Sequence, residues 1–519
     1  MRNSFLKRNL PIVLGVALFA VFFRMATLMM IHTGVDERDY WYSAKALATG
    51  LPYPELSHRT TRFSIILPVA AVQMLFGTAP NVYYVLPLFN SALQAAIAFM
   101  LGARLRSRFT GLVAALGIVV FPYMARAGSQ IRPEVFSITY VLLALYCLTK
   151  YIEKTERELP ALLWMSAWLF VAYEAKITNL FFVPGIMLAM LVLKKKKSHI
   201  AILGLVLLGL FLAETAAYAL LTDYKLGELE IITKHHSLAG ELFIVPGFFD
   251  LFKRYSSEKL QAYWQIPFLA FLIVSGYYLL KRRANKAIIA IAIAALSFFL
   301  GMTFEVSSIK PLMPAEPFIN RYFCAVLGPV FLVLAFGFEG VLRRIRRKAG
   351  ALRVPESTPA IIGLLGIAAA LVLGTFSLPF LPRSIRAYAN SPLELRNHPL
   401  ALNVRYGKAI NAAYASGRPI VADGGDAGAD AIATCEFFYL DARFYVNGAP
   451  PKERDISLYG RGFKVLGGVP SMREGALAVI RRPFRLADMQ GDSLKALGGE
   501  AFDEPGDGRG DDSDDRSEP

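Results

Sequence analysis

Cysteine is scarce in this sequence of 519 residues: only Cys147, Cys324 and Cys435 are present, in separate segments, the first two inside apolar runs. That excludes a disulfide framework and any Cys spacing of the metal-binding kind. Charge is thin as well, at 18% of residues against a hydrophobic share of 55% and a mean hydropathy of +0.44. A soluble domain carries about 25% charge, so a soluble globular chain is excluded. No convincing internal repeat is found, which argues against the repeat-built architecture of secondary transporters. The first apolar run, about 10–31, lacks a small-residue cleavage site and is too long for a removed signal peptide, so it reads as an anchor.

What is abundant is apolar sequence in runs of about twenty residues, recurring from Leu10 to Phe380. Such runs are the signature of transmembrane helices. Further spans are expected at about 80–103, 109–126, 131–149, 159–173, 178–193, 200–221, 266–280, 287–303, 322–341 and 359–378, which makes eleven. The stretch 159–193 as one helix would be roughly 52 Å long, against a bilayer core of about 30 Å, so two short helices meeting around Glu174-Ala175-Lys176 are expected. That choice also puts Lys7/Arg8, Arg104/Arg106/Arg108, Lys194–Lys197, Lys281–Arg283 and Arg343–Lys348 on one side. By the positive-inside rule that side, with the N-terminus, is cytoplasmic. These clusters account for most of the net charge of +16. They serve topology and contact with anionic lipid headgroups, so membrane lipids are implied as partners and nucleic acid is not.

The expected fold class is an all-α polytopic membrane domain over residues 1–378 with a small extracytoplasmic α/β domain over 379–499. The strand-like runs of the latter are Pro419–Ala422, Phe437–Leu440, Phe444–Val446 and Ala476–Ile480. The Asp/Glu/Gly/Ser-rich tail 500–519 reads as disordered. A first outer loop spans 32–63, followed by a stretch up to Phe76 too short to cross, read as interfacial or re-entrant.

The charges at the outer helix ends are the informative ones. Gly34-Val35-Asp36-Glu37-Arg38-Asp39-Tyr40 places three carboxylates in four positions beside a bilayer surface, with Asp36 and Asp39 sharing a face at helical spacing. Glu134, Lys176, Glu214 and Arg321 join Asp36 and Glu37 at outer ends. Ionisable groups at such depth usually mark a site, although a lone Lys176 can snorkel to water and Glu134 alone can serve the helix dipole. A carboxylate pair suits a general base or hydroxyl binder, and Arg and Lys suit a phosphate. A pocket with both, at the lipid boundary and outside, fits a polyprenyl-phosphate sugar as donor and a hydroxyl as acceptor. His235-His236 lies in the fourth outer segment, 223–265; adjacent histidines do not share a helix face, so solvated loop residues are the simpler reading, and the alternative is one of them, such as His235, reaching the acceptor or a metal.

The run Asp36-Glu37, Tyr40, Ala44, Leu47, Gly50, then His58-Arg59, Leu67-Pro68 and Leu75-Phe76-Gly77, resembles the first outer loop of the GT-C membrane glycosyltransferases. The nearest group is the protein O-mannosyltransferases and lipid A aminoarabinose transferases, including the rhizobial core-sugar transferases. Ala175-Lys176-Ile177-Thr178 and Arg321-Tyr322 extend the resemblance over roughly 10–345. It implies a bacterial inner-membrane enzyme that moves a sugar from a polyprenyl-phosphate donor to an extracytoplasmic acceptor, with inversion. Asp36 would sit at the reaction centre with Glu37 beside it, and Lys176 would meet the lipid phosphate. The Lys-Pro-Pro motif of the aminoarabinose group is absent; His58-Arg59-Thr60-Thr61-Arg62 stands there, so Arg59 or Arg62 would supply the cation, with Arg321. Glu134, Asp39, Tyr40, His58 and His235 are candidates for positioning donor or acceptor. No cofactor is required by the sequence; a divalent cation could assist, and nothing at metal-ligand spacing demands one. The alternatives are a polymerase or ligase using diphosphate-linked donors, and a secondary transporter.

Overall fold

The computed structural model describes residues 2–28, 35–51, 53–54, 56–153, 158–228, 230–231, 247–253, 255, 262–281, 285–309, 312–314 and 320–351, and short strands between 420 and 489. The chain divides into two units, Met1–Glu394 and Leu395–Pro519.

The first unit is a helical membrane bundle. Ten of the eleven expected spans lie on described helices, and 359–378 falls outside the described residues. They are α1 (Arg2–Ala26), α4 (Val85–Leu105), α5 (Arg108–Val120), α7 (Pro133–Glu153), α8 (Glu158–Ala175), α9 (Phe182–Val192), α10 (Lys197–Leu221), α11 (Ala262–Leu280), α12 (Lys286–Phe304) and α13 (Leu327–Ala351). Between the first two lie α2 (Val35–Thr49) and α3 (Phe63–Phe76), and α6 (Pro122–Ala127) follows α5. Six of the described helical stretches are long and apolar enough to cross a bilayer unaided. Pro133–Glu153 is buried along 78% of its apolar window and forms the centre, whereas Lys197–Leu221, at 11%, forms a rim. Leu205, Leu212 and Leu220 of that rim helix project outward, as lipid-facing residues do.

Three expectations are corrected. The stretch 32–63 is not all loop: Val35–Thr49 is helix, too short and too charged at its start to span. Asp36 and Glu37 occupy its first turn, where the helix dipole favours acids, and Tyr40, Trp41 and Ala44 give it a buried face. The expected span 109–126 is interrupted at Phe121, whose extended backbone follows from the proline after it. The first helix ends at Ala26 rather than near residue 31.

The proposed break in 159–193 is present. Helix α8 stops at Ala175, Lys176 is extended, and a 3-10 turn, Ile177–Phe181, leads into α9. The basic helix ends gather as the charge pattern requires: Arg104 pairs with Glu153 at 2.6 Å, Arg108 donates to Asn9 at 2.8 Å, and Asn285 donates to the carbonyl of Leu105 at 3.1 Å. Arg343 meets Glu339, which accepts from Ser107 and Thr110. Helices α4 and α5 touch backbone to backbone at Gly102, where a Cβ would lie 2.6 Å from the Gly111 Cα.

In the second unit the described strands are β3 (Ile420–Ala422), β4 (Phe444–Val446), β5 (Ile456–Leu458), β6 (Arg461–Phe463), β7 (Leu477–Ile480) and β8 (Asp488–Met489), after the hairpin β1 (Val306–Ile309) and β2 (Leu312–Pro314) of the first unit. A four-stranded sheet runs β4-β3-β7-β8, with β3 parallel to both β4 and β7. Three of the four strand-like runs are therefore strands; Phe437–Leu440 lies outside the described residues.

Candidate active site

Four stretches of chain and one helix break deliver charge to a single end of the bundle. Helix α2 brings Asp36, Glu37, Asp39 and Tyr40. It is held in place by Gln73, which donates to the Trp41 carbonyl at 3.2 Å, and by Trp41 against Tyr83. The turn before α3 brings His58, Arg59 and Arg62. Its shape is set by side-chain bonds: the Ser57 amide donates to the Thr60 hydroxyl at 2.7 Å, and the Tyr53 hydroxyl donates to the Thr60 carbonyl at 2.6 Å.

Arg132 and Glu134 enter at the head of α7, where Pro133 fits the first turn of a helix. Tyr83 accepts from the Ile131 amide at 2.9 Å and Gln94 donates to the Val135 carbonyl at 2.6 Å, so this corner is fixed from both sides. Lys176 is the extended residue at the break after α8. Asn179 pins that break by donating to the Ser137 hydroxyl at 2.9 Å and the Ala172 carbonyl at 2.6 Å. Arg321 and Tyr322 lie in the 3-10 segment Asn320–Val326, anchored by Phe323 stacked on Phe299.

The charged groups form one alternating line. Lys176 donates to Glu134 at 3.2 Å; Arg321 lies 3.8 Å from Glu134 and 3.7 Å from Asp36; Arg59 meets Asp36 at 2.5 Å and Asp39 at 3.3 Å. The line runs from buried to open: the Lys176 and Glu134 side chains are 6% and 7% exposed, those of Asp36 and Arg321 33% and 39%. The Lys176 ammonium also sits 3.5 Å over the Tyr322 ring, a cation–π contact. Arg62 donates to the Tyr40 hydroxyl at 2.6 Å.

Glu37 points away from its neighbour. It is buried and accepts from Arg132 at 2.5 Å. Burial, outweighing the pull of Arg132, pushes its carboxyl up to about 7. Asp36 and Glu37, adjacent in sequence, thus occupy different environments.

Of the residues singled out in the sequence, Asp36, Asp39, Arg59, Glu134, Lys176 and Arg321 are joined directly. Arg62 and Tyr40 form a neighbouring pair, and half-buried His58 shares the turn with Arg59. His235 lies outside the described residues. Arg132 was not singled out. Its signal was an Arg-Pro-Glu triplet at a helix head, which reads equally well as a solvated turn.

Residues 66–218, a little under a third of the chain, match the family described as dolichyl-phosphate-mannose-protein mannosyltransferase. The matched stretch contains Glu134 and Lys176. Over it, the expected resemblance to membrane glycosyltransferases holds. Among solved structures, ArnT from Cupriavidus metallidurans bound to undecaprenyl phosphate is similar at 12% identity and a TM-score of 0.47, over 84% of this chain and 85% of that one. The oligosaccharyltransferase AglB from Archaeoglobus fulgidus, in complex with an inhibitory peptide and a dolichol-phosphate, has the same identity and TM-score. The alignment covers 83% of this chain but only 64% of AglB. No protein of curated function matches the chain.

Proposed function

We propose that this membrane protein is a glycosyltransferase that takes a sugar from a polyprenyl-phosphate carrier and places it on a hydroxyl of an acceptor outside the membrane. The observation that carries the reading is the alternating line from Lys176 to Asp39, drawn from separate parts of the chain to one end of a lipid-embedded bundle. The family match points the same way, since a dolichyl-phosphate sugar is a lipid-phosphate donor. The basic clusters of the opposite end support a site on the outer face of a bacterial inner membrane.

Five cations, Arg59, Arg62, Arg132, Lys176 and Arg321, stand against four carboxylates, Asp36, Glu37, Asp39 and Glu134. Arg62 is also within reach of the charge on Glu228, and an anionic phosphate suits the more open cations of the line. Arg59 and Arg321, the exposed cations, and Lys176 behind them would hold the donor phosphate and stabilise it as it leaves. The acceptor oxygen attacks the anomeric carbon from the face opposite the phosphate, so the configuration inverts. A new C–O bond to the acceptor forms, the anomeric C–O bond to phosphate breaks, and the acceptor proton passes to Asp36. Glu37, locked by Arg132, fixes the first turn of α2 and so the aim of Asp36.

The test is reconstitution in vesicles with a monophosphate-linked sugar, a diphosphate-linked sugar, or no donor, followed by analysis of the product anomer. Consumption of the monophosphate donor with inversion supports the reading. Consumption of the diphosphate donor alone would replace it with a polymerase or ligase reaction, and retained turnover in Asp36→Asn would remove Asp36 from the mechanism.

A further inference from the structure

A second group of acids lies behind the turn that carries Arg62. Glu174 is the penultimate residue of α8, Glu214 lies two turns from the end of α10, and Glu228 follows that helix. One carboxylate oxygen from each comes within 4.8 Å of the other two. Glu174 and Glu228 are 8% and 5% exposed. An oxygen on each of the three (Oε1 of Glu174 and Glu214, Oε2 of Glu228) is buried with no hydrogen-bond partner. Among the described residues no Lys or Arg lies within ion-pair distance of any of them; Arg62 attracts Glu228 from further off, and Tyr173 hydrogen-bonds Glu228. The Thr61 hydroxyl shares its proton between the Ser57 carbonyl at 3.0 Å and the other oxygen of Glu228 at 3.3 Å, and Tyr218 donates to the Thr61 carbonyl at 3.4 Å.

Crowded carboxylates with buried oxygens are costly unless they take up protons or a cation sits among them. The donor set is oxygen only, which selects a hard divalent ion over zinc or copper. Calcium takes its oxygens at about 2.3–2.6 Å, so three spaced evenly around it stand at most about 4.0–4.5 Å apart, and oxygens within 4.8 Å of one another need only a small inward shift to hold it. We infer that Glu174, Glu214 and Glu228 bind a hard divalent cation that ties the ends of α8 and α10 to the Ser57–Arg62 turn. Through Thr61 the ion would set the position of Arg62. This site is separate from the line containing Asp36, and its occupancy is read without sugar transfer.

The experiment uses the full-length protein in detergent, stripped with chelator and titrated with calcium alone. Bound metal is measured after desalting, and thermal unfolding with and without calcium. The wild type is expected to retain one calcium per chain and to melt at a higher temperature with it. Glu174→Gln and Glu228→Gln should each weaken retention by at least about tenfold. In chelator both should melt no lower than the wild type, because each removes a charge from a crowded set. Glu214→Gln, at the half-buried member, disturbs packing least and should show the same loss. Absence of calcium binding in the wild type, or binding of equal strength in the variants, overturns the inference.

Discussion

At the scale of single residues, Asp36 is shared between Arg59 and Arg321 in a half-open setting, whereas Glu37 is sealed against Arg132. Asp36→Asn keeps the shape but removes the proposed base and one of the two oxygens that face the arginines, so transfer should fall by about 10²–10⁴-fold with membrane insertion unchanged. A radiolabelled-sugar assay on isolated membranes, alongside a protease-protection map, checks both halves. For Glu37 the sign follows from its position near pH 7 when folded against about 4.3 when unfolded. Its stabilising contribution is complete below about pH 4.3 and is lost as pH rises to about 7. Thermal melts from pH 4.5 to 7.5 should therefore show the wild type losing ground relative to Glu37→Gln as pH increases.

At the scale of elements, the break between α8 and α9 matters most, because it turns Lys176 out of a helix and onto Glu134. Lys176→Met alone leaves a buried carboxylate without that partner, which costs about 3–5 kcal/mol in such pairs. Lys176→Met with Glu134→Gln should recover much of that stability while transfer stays lost. Urea melts and activity on the same preparations separate the two. A Cβ at Gly102 would meet only the backbone of Thr110 and Gly111, with no side chain there to give way, so Gly102→Ala should destabilise the bundle by about 1–3 kcal/mol. The break at Lys176 was legible because the basic clusters could be kept on one side only by splitting the apolar stretch. Helix α2 was not: Gly34 before it and the Pro52 and Pro54 after it give the stretch the look of a loop, and burial of Tyr40 and Trp41 decides otherwise. Arg132 and Glu228 were missed because Arg132 precedes a helix and Glu228 follows one in the sequence, positions where isolated charges are ordinarily solvated.

At the scale of the whole molecule, every residue of the proposed donor site falls between Asp36 and Arg321, inside the first unit. A chain ending at Glu394 is expected to keep binding polyprenyl phosphate, read as a rise in melting temperature equal to that of the full chain. The sequence revealed the membrane class, ten helices and three strands of the second unit because hydrophobic runs and alternation report burial directly. It could not report which acid meets which base, since those partners lie up to 285 positions apart, as Asp36 and Arg321 do.

The alternating line has a consequence for the order of events. Arg59 and Arg321 are both engaged with Asp36, so on the proposed reading the proton acceptor is occupied and water would gain little from it. An arriving lipid phosphate competes for those same two guanidinium groups, and every contact it gains is one Asp36 gives up. In the proposed reaction, loading the carrier would therefore unlock the base. The reaction should be compulsory-order, donor before acceptor, and the idle protein should not squander its sugar on solvent.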